Sequence, residues 1–400
     1  MTPQSLTATR KVERRWFWLR SPVYLFLFAA GSRIVVLAVL VAHSRVWWGI
    51  NEAGTIGRSL VLGRGFASPF HDASGPSAWF APVYPSLMAG IFLLFGIETT
   101  ASAWAAASLN VVFASLTVLV IRQLGREHFG EAAGDLAGWM WAVSPPLLIM
   151  PWLLWDTCLS ALTMSFAFLQ LLRLNRQSRL REWVLCGCIW GFAGLLNPAL
   201  LAPLFALGLR AVWLRCTKGV VVMILACVAV ILPWTVRNEL RFHHFVPVRS
   251  NLWPELFFGN AGFALHPHGD SMLYQREGEV VFSTDMRARL INYIRNHPGD
   301  FIHRTGQRAL EFWIEPTNFG LFGPCAGLVS LTALAGLLRA KFSNHEWISF
   351  AGVLALYPIL YDLTFTFSRF RYPIDPLLYV LAGYAISGLL TYGRRLRDTP

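Results

Sequence analysis

Long apolar runs, separated by short polar segments, make up most of the chain. A helix that spans a bilayer needs about 20 mostly apolar residues, and runs of that kind recur along the whole sequence. Several are short and closely spaced, which leaves their boundaries open. We identify ten candidate spans: 21–42, 103–121, 132–150, 155–172, 183–197, 198–214, 218–236, 322–340, 346–365 and 372–392. The pattern predicts an all-α polytopic membrane protein.

The run 80–96 is barely long enough to span and contains Pro82 and Pro85 near its start. Lys and Arg are enriched in cytoplasmic loops, so a span at 80–96 would put the basic cluster Arg173–Arg181 on the wrong side. We therefore predict that 80–96 is a juxtamembrane or re-entrant helix at the outer face, covered by protein because lipid cannot satisfy polar backbone groups. Both termini are then cytoplasmic, in a multi-pass protein of the plasma (inner) membrane.

This topology divides the chain into four parts. They are a basic cytoplasmic tail at 1–20, an N-terminal membrane module at 21–236 that includes a first outer loop at 43–102, a larger extracytoplasmic loop at 237–321, and C-terminal helices with a cytoplasmic tail at 322–400. In the larger loop nine arginines balance nine acidic residues. That balance is typical of a folded, water-facing loop, and the spacing predicts an amphipathic helix around 284–312.

The composition supports a membrane protein. Hydrophobic residues make up 55% and charged residues 14% of the chain, whereas a soluble protein carries about 25% charged residues. The net charge of +12 comes from short basic clusters between apolar runs, so we expect membrane lipids and no nucleic acid as partners. The six cysteines show no C-x-x-C, and H-P-H-G-D at 266–270 matches no zinc spacing. We therefore predict neither a metal site nor a cofactor.

Two acidic residues stand out at predicted outer positions. Glu52 follows the first span and begins a short helix over 52–62. It either caps the helix dipole or has a function, since polar groups placed against a membrane are costly. Asp156 follows Pro145, Pro146 and Pro151 at an outer turn. Its alternative role is the N-cap of the helix 155–172.

Arginines at predicted outer positions form a second group. Arg237, Arg369 and Arg371 either snorkel to lipid headgroups or bind phosphate, for which the guanidinium fork is suited. Arg58 and Arg64 are further candidates, with solvation as the alternative. Arg33 lies inside the first apolar run and must pair with a buried acid or carbonyl, whose identity the sequence does not reveal.

Ordered motifs run from about residue 33 to 380. An acidic residue after the first span precedes a short helix ending in G-x-G, then P-V-Y-P at 82–85 and F-G at 95–96. Later come L-P-W-T-V-R-N at 232–238, F-V-P-V-R-S-N at 245–251, F-G-N at 258–260 and R-F-R-Y-P-I-D-P at 369–376. Together they resemble the GT-C glycosyltransferases, in particular the protein O-mannosyltransferase and aminoarabinose-transferase-like group (glycosyltransferase family 39).

The resemblance implies an inverting glycosyltransferase that moves a hexose or pentose from a polyprenyl-phosphate donor to a lipid, glycan or protein acceptor at the outer membrane face. It implies Glu52 and Asp156 as catalytic residues, with Glu52 as general base. The family often has Asp-Glu where this chain has Asn51-Glu52, which makes Glu52 the substitute base. The implied binding residues are Arg237, Arg369, Arg371 and Arg58 for the donor phosphate, and Trp79, Tyr84, Asn238 and Asn260 for substrate.

Two other readings share the helical architecture. A transporter or lipid flippase would also cross the membrane many times, but transporters commonly have repeated halves and ionisable groups at the midplane. Here no repeat is evident, and the polar residues gather at the outer rim. A non-catalytic relative of the GT-C fold is the third reading, and Asn51 keeps it open.

Overall fold

The computed structural model describes residues 20–43, 52–70, 74–262, 274–314, 322–344 and 346–398. Asn51, Asp72 and the histidine-rich stretch 266–270 lie outside these ranges. Within them the fold is all-α, since the only β pairing is an isolated bridge between Ala67 and Pro76. The all-α prediction is confirmed.

The N-terminal part of the chain is a succession of apolar helices. Gly96 (φ 87°) and Gly130 (φ 97°) follow two of them in backbone conformations that favour glycine. The helices are α1 Pro22–His43, α2 Glu52–Val61, α3 Val83–Phe95, α4 Thr100–Phe129, α5 Glu131–Val143, α6 Pro145–Ile149, α7 Thr157–Arg173, α8 Leu180–Leu196, α9 Leu204–Trp213 and α10 Thr217–Phe242, with 3₁₀ turns at Met150–Trp152 and Pro198–Leu201.

The C-terminal part continues in the same way, with a π-helical turn at Phe258–Gly262. Its helices are α11 Leu252–Phe257, α12 Glu279–Asn296, α13 Pro298–Ile314, α14 Phe322–Lys341, α15 Trp347–Leu356, α16 Ile359–Leu363, α17 Ser368–Arg371 and α18 Asp375–Asp398. The single amphipathic helix predicted at 284–312 is instead two helices, because Pro298 lacks the N–H needed to continue α12.

Prolines also interrupt three of the predicted spans. The run 132–150 breaks before Pro145, 198–214 breaks at Pro203, and 346–365 breaks at Pro358. Each proline removes one helical hydrogen bond and clashes with the preceding turn. The runs around Pro203 and Pro358 nevertheless form the short apolar segments Pro198–Trp213 and Trp347–Leu363, and whether each of the three runs is one span stays a prediction.

Among the described residues, four helical segments are long and apolar enough to cross a bilayer by themselves: Pro22–Val41, Thr100–Phe129, Thr217–Phe242 and Gly323–Lys341. The pair Pro145–Trp152 and Thr157–Arg173, bent by 118°, adds a fifth if it is one span. These helices make the chain a multi-pass membrane protein, while the count of ten spans and their orientation stay predictions. Helix α3 has 13 residues and is about 20 Å long, shorter than the roughly 30 Å hydrocarbon core.

Helix α4 is the centre of the membrane core. It packs against α1, α5 and α7. Helix α18 in turn packs against α5 and α14. Small residues allow the closest approaches, as is common between membrane helices. At Gly134 of α5 an added Cβ would lie 2.4 Å from the Arg122 carbonyl oxygen of α4.

The two long loops pack together in a separate aromatic cluster. Trp79 of the first loop joins Phe257, Phe258, Tyr274 and Phe282 of the second. Glu279, at the start of α12, accepts hydrogen bonds from Ser77 Oγ and the Ala78 N–H, both at 2.6 Å. This packing brings the short helices α2 and α11 to the same end of the protein.

Candidate active site

Glu52 lies in the first turn of α2 and is half-buried. A short apolar face, including the fully buried Ala53 and Ile56, seats α2 on the core, and Thr55 Oγ1 donates to the Pro69 carbonyl at 2.6 Å. The helix therefore holds its first residue at the end of the bundle. In the first turn the Glu52 carboxylate also interacts favourably with the helix dipole.

Asp156 immediately precedes α7 and is 8% exposed. Its side chain accepts no capping hydrogen bond from the backbone of α7, and its φ and ψ of −62° and −4° are helical, whereas an N-cap residue is typically extended. The carboxylate accepts instead from Ser160 Oγ at 3.1 Å. Asp156 thus occupies the position before α7 without capping the helix through its side chain, and its catalytic role stays a prediction.

Arg369, in the short helix α17, is a cation that interacts with both of these acids. Its guanidinium lies 4.0 Å from the ring centroid of Trp155, the residue before Asp156. It interacts electrostatically with Glu52, Asp156 and Glu255. Its Nε has no hydrogen-bond partner among the described residues. The structure therefore brings three predicted site residues, Glu52, Asp156 and Arg369, into one cluster.

Two members of this cluster were missed by the sequence interpretation. Arg249 donates from Nε to the Trp79 carbonyl at 3.1 Å, and its guanidinium lies 4.6 Å from the Phe80 ring centroid. Glu255 in α11 accepts from Asn251 Nδ2 at 2.8 Å. Arg249 lies within the F-V-P-V-R-S-N motif and Glu255 four residues after it, but both counted only as members of a charge-balanced loop. Arg249 and Glu255 both lie shortly before the F-G-N motif at 258–260, and this position was the sequence signal that could have identified them as site residues.

The charges in the cluster influence one another. Burial raises the pKa of Glu255 to about 7; the negative charge of Glu52 adds to this increase, and Arg249 and Arg369 oppose it. Two carboxyl groups in a partly desolvated site cannot both be charged without cost. Glu255 is therefore a carboxyl group of this cluster whose pKa lies near neutral pH.

The other predicted phosphate-binding arginines are engaged elsewhere. Arg371 pairs with Asp375 at 2.7 Å and is 3% exposed. Arg237 donates to the carbonyls of Ser77 (2.7 Å) and Phe66 (2.9 Å), which holds the first loop against α10. Arg58 forms an ion pair with Glu98 at 3.7 Å on the surface. The structure does not bring these three residues to the Arg369 cluster.

The predicted substrate-binding residues lie in the protein interior. Trp79 is 4%, Tyr84 1%, Asn238 0% and Asn260 2% exposed. Trp79 packs in the aromatic cluster between the loops, and Asn260 bonds to the Leu256 and Leu363 carbonyls, both at 2.8 Å. Direct contact with a substrate would require Trp79, Asn238 and Asn260 to leave their present partners. The substrate-binding role of all four residues stays a prediction.

Comparison with known proteins gives a fold. No protein-family model matches the sequence, and no curated protein matches it significantly. The oligosaccharyltransferase of Archaeoglobus fulgidus, tethered with an acceptor peptide containing the NVT sequon, superposes with a TM-score of 0.58 at 15% identity, covering 96% of this chain and 51% of that chain. The same enzyme with an inhibitory peptide and a dolichol-phosphate gives 0.52 at 15% identity, covering 96% and 52%.

This chain thus spans about half the length of those solved structures. ArnT from Cupriavidus metallidurans, bound to undecaprenyl phosphate, matches with a TM-score of 0.41 at 12% identity over 88% of this chain and 77% of that one. The fold assignment does not depend on that match.

One further structure of the archaeal oligosaccharyltransferase is a complex with Zn and sulfate, at a TM-score of 0.56 and 15% identity, covering 93% of this chain and 49% of that chain. In the described part of the present chain, no three His, Cys, Asp or Glu side chains lie close enough to hold a metal ion. Arg369 interacts with the three carboxylates of Glu52, Asp156 and Glu255 here. The chain shares its fold with this archaeal oligosaccharyltransferase.

Proposed function

We propose that this protein is a glycosyltransferase that moves a sugar from a polyprenyl-phosphate donor to an acceptor at the outer face of the membrane. The observation that carries the proposal is Arg369, a partly buried cation that faces the carboxylates of Glu52, Asp156 and Glu255. Such a cluster combines an arginine that can bind phosphate with carboxylates that can act as bases. It lies in a fold shared with a membrane glycosyltransferase.

Arg369 and Arg249 are the residues that bind the donor phosphate in this proposal. A guanidinium presents a planar set of donors that matches phosphate oxygens. Both arginines rest on aromatic rings, Trp155 and Phe80, so each is held in place before a ligand arrives. Arg369 in addition has an Nε without a partner among the described residues.

Glu52 is the general base in this proposal. It takes the proton of the acceptor hydroxyl while the acceptor oxygen forms a bond to the anomeric carbon of the sugar. The bond from that carbon to the phosphate oxygen breaks, and the electron pair leaves with the polyprenyl phosphate. Attack from the face opposite the phosphate inverts the anomeric configuration. The arginines stabilise the charge that develops on the leaving phosphate.

A polyprenyl-phosphate carrier agrees with the comparison, because the archaeal oligosaccharyltransferase has been solved with a dolichol-phosphate. The acceptor of this chain is a lipid, glycan or protein with a free hydroxyl. The positive-inside pattern supports cytoplasmic termini and places Arg173 and Arg176 inside. The α7–α8 connection that holds them, at the end of α7 remote from Asp156, then faces the cytoplasm in the plasma (inner) membrane.

The decisive experiment is lipid and glycan analysis of a strain that lacks the gene. We expect a polyprenyl-phosphate sugar to accumulate and one glycan to lose a sugar, with both defects corrected by the wild-type gene and not by Arg369→Ala. The exposed Arg295 of α12 supplies the matched control, Arg295→Ala, which should correct both. A strain with normal glycans and a misplaced lipid would instead favour the flippase reading.

A further inference from the structure

The helical path of the chain is broken between α5 and α7, within an apolar stretch of the sequence. Helix α5 ends at Val143, and the segment Pro145–Trp152 is bent by 118° relative to Thr157–Arg173. This connection carries Trp155 and Asp156 into the site. Lipid cannot satisfy the carbonyl groups that such a break exposes, so protein groups must do it.

Two of these carbonyls are left without a donor by the sequence itself. In an α-helix the N–H of residue i bonds to the carbonyl of residue i−4. The partners of the Trp141 and Ala142 carbonyls would therefore be the N–H groups of residues 145 and 146. Both residues are proline, which has no N–H. The proline pair thus removes two consecutive helical hydrogen bonds.

Arg33 supplies the missing donors. It lies in α1, is 0% exposed, and donates from Nη2 to the Trp141 carbonyl at 3.1 Å and from Nη1 to the Ala142 carbonyl at 3.5 Å. Nη1 also bonds to the Ala29 carbonyl of its own helix at 3.0 Å. A positive charge at the C-terminal end of α5 is additionally favoured by the helix dipole. These carbonyls are the partners that the sequence left unnamed.

Asn110 holds the other end of the same connection. It is 1% exposed in α4, and its Nδ2 donates to the Leu153 carbonyl at 3.0 Å and the Pro151 carbonyl at 3.4 Å. Leu153 is two residues before Trp155, whose ring carries the Arg369 guanidinium. Two buried side chains from different helices therefore fix the two ends of one irregular segment.

We infer that Arg33 and Asn110 are positioning residues that hold the proline-broken segment 144–156 in the shape that places Trp155 and Asp156 beside Arg369. Neither residue is a member of the charged cluster around Arg369. The inference rests on the proposed function only where sugar transfer is its readout, because the shape of the segment is measurable independently.

The test uses full-length protein in lipid nanodiscs and compares Arg33→Met with the triple variant Arg33→Met/Pro145→Ala/Pro146→Ala. The alanines restore N–H groups at positions 145 and 146, so the Trp141 and Ala142 carbonyls regain helical partners. A purely structural role for Arg33 predicts that the triple variant recovers both thermal stability and transfer. Our inference predicts that it recovers stability without transfer, because the segment then follows a straighter helix.

Hydrogen–deuterium exchange supplies a readout that does not need activity. In Arg33→Met, amides of 147–156 should exchange about tenfold faster or more, since charge-assisted hydrogen bonds that fix the segment are lost. Arg339→Met is the matched control, because Arg339 also donates to a helix carbonyl, that of Tyr384, away from the break. It should leave exchange in 147–156 and transfer per folded molecule unchanged.

The outcomes separate the two claims. Unchanged exchange in 147–156 in Arg33→Met and Asn110→Leu, or full recovery of transfer in the triple variant, would overturn the positioning role. If the wild-type protein transfers no sugar while exchange responds as expected, the proposed function fails and the positioning of Trp155 and Asp156 stands.

Discussion

The guanidinium of Arg369 stacks on the ring of Trp155 at 4.0 Å, and Trp155 is bonded through the chain to Asp156. A cation from the late helix α17 and a carboxylate from the start of α7 are therefore brought together by one aromatic side chain. An arginine held over an aromatic face contributes about 0.5–2 kcal/mol of attraction, more as it is desolvated. Changes at Trp155 should accordingly act on donor binding through Arg369.

Arg369→Lys should weaken binding of polyprenyl phosphate by about tenfold or more. Lysine keeps the charge but has neither the planar fork nor the flat face that stacks on Trp155, and one charge-assisted contact contributes about 1.5–3 kcal/mol. Titration of the protein in nanodiscs with polyprenyl phosphate measures this affinity. Arg295→Lys on the exposed face of α12 is the control, and equal affinities for the two variants would remove Arg369 from phosphate binding.

Glu52→Gln should reduce sugar transfer by about 10²–10⁴-fold, the usual range for loss of a general base, while donor binding changes little. Glutamine keeps the shape of the side chain but cannot accept the acceptor proton. If Glu52 only caps α2, the loss would instead be about 1 kcal/mol of stability, with normal transfer per folded molecule. Asn51→Asp, outside the described residues, is the companion variant that restores the acidic pair of the family, and transfer from a synthetic donor is the assay.

Glu255 should make donor binding depend on pH near neutrality. The raised pKa of about 7 means that this carboxyl gains negative charge as the pH increases through that value, which repels a phosphate. Affinity for polyprenyl phosphate should therefore fall from about pH 6 to about pH 8, and Glu255→Gln should flatten the profile. The exposed Glu239 provides the control Glu239→Gln, which should leave the profile of the wild type.

The raised pKa of Glu255 also makes the stability of the folded protein depend on pH. The folded pKa of Glu255 lies above the unfolded value of 4.5, so between these values the folded state holds a proton that the unfolded state has released. Stability therefore decreases as the pH rises through this window. Thermal unfolding of Glu255→Gln should show a smaller decrease than the wild type over that range.

Gly259→Ala should disturb the connection that leads to Arg369. An added Cβ at Gly259 would lie 1.9 Å from the Thr364 carbonyl oxygen, and Arg308 joins the same place by donating to the Gly259 carbonyl at 3.0 Å. We expect a loss of about 1–3 kcal/mol, as for other overpacked sites, together with weaker donor binding. Gly299 has no atom near its Cβ position, so Gly299→Ala is the matched control in thermal unfolding.

Cysteine labelling tests the orientation of the chain. On a background without the six native cysteines, cysteines at the exposed positions 176 and 295 should react with an impermeant reagent on opposite sides of the membrane. Position 295 should react from outside and position 176 only after the membrane is opened. Labelling of position 176 in intact cells would reverse the assigned topology and the juxtamembrane assignment of 80–96.

Periodicity and hydropathy predicted the all-α class because long apolar helices depend on local composition. The same patterns could not distinguish Arg369 from Arg371. The two residues are separated by one position, and residues i and i+2 of a helix do not share a face. Arg369 accordingly meets Trp155, whereas Arg371 pairs with Asp375. Which of the two arginines faces the acids depends on tertiary contacts.

Glu255 and Arg249 show a second limit of the sequence interpretation. In a loop with equal numbers of acidic and basic residues, every charge looks solvated. Only the folding of that loop onto the first one brings Arg249 to Asp156 and Glu255 to Glu52. By contrast, Glu52 and Asp156 were identifiable because each follows an apolar helix or a proline-rich turn. Local signals therefore found the residues next to the membrane helices and missed those contributed by the distant loop.

The pairing of Arg33 with the end of α5 also bears on the order of biosynthesis. Arg33 precedes its carbonyl partners by 108 and 109 residues, so α1 enters the bilayer long before α5 has been made. An arginine at the centre of a helix disfavours insertion by about 2.5–3.5 kcal/mol, and the rest of α1 must outweigh this cost alone. Once α5 and the two prolines that follow it have been made, the Trp141 and Ala142 carbonyls accept hydrogen bonds from the Arg33 guanidinium. The buried charge of α1 thus has one carbonyl partner in its own helix and gains the other two only after α5 has been made.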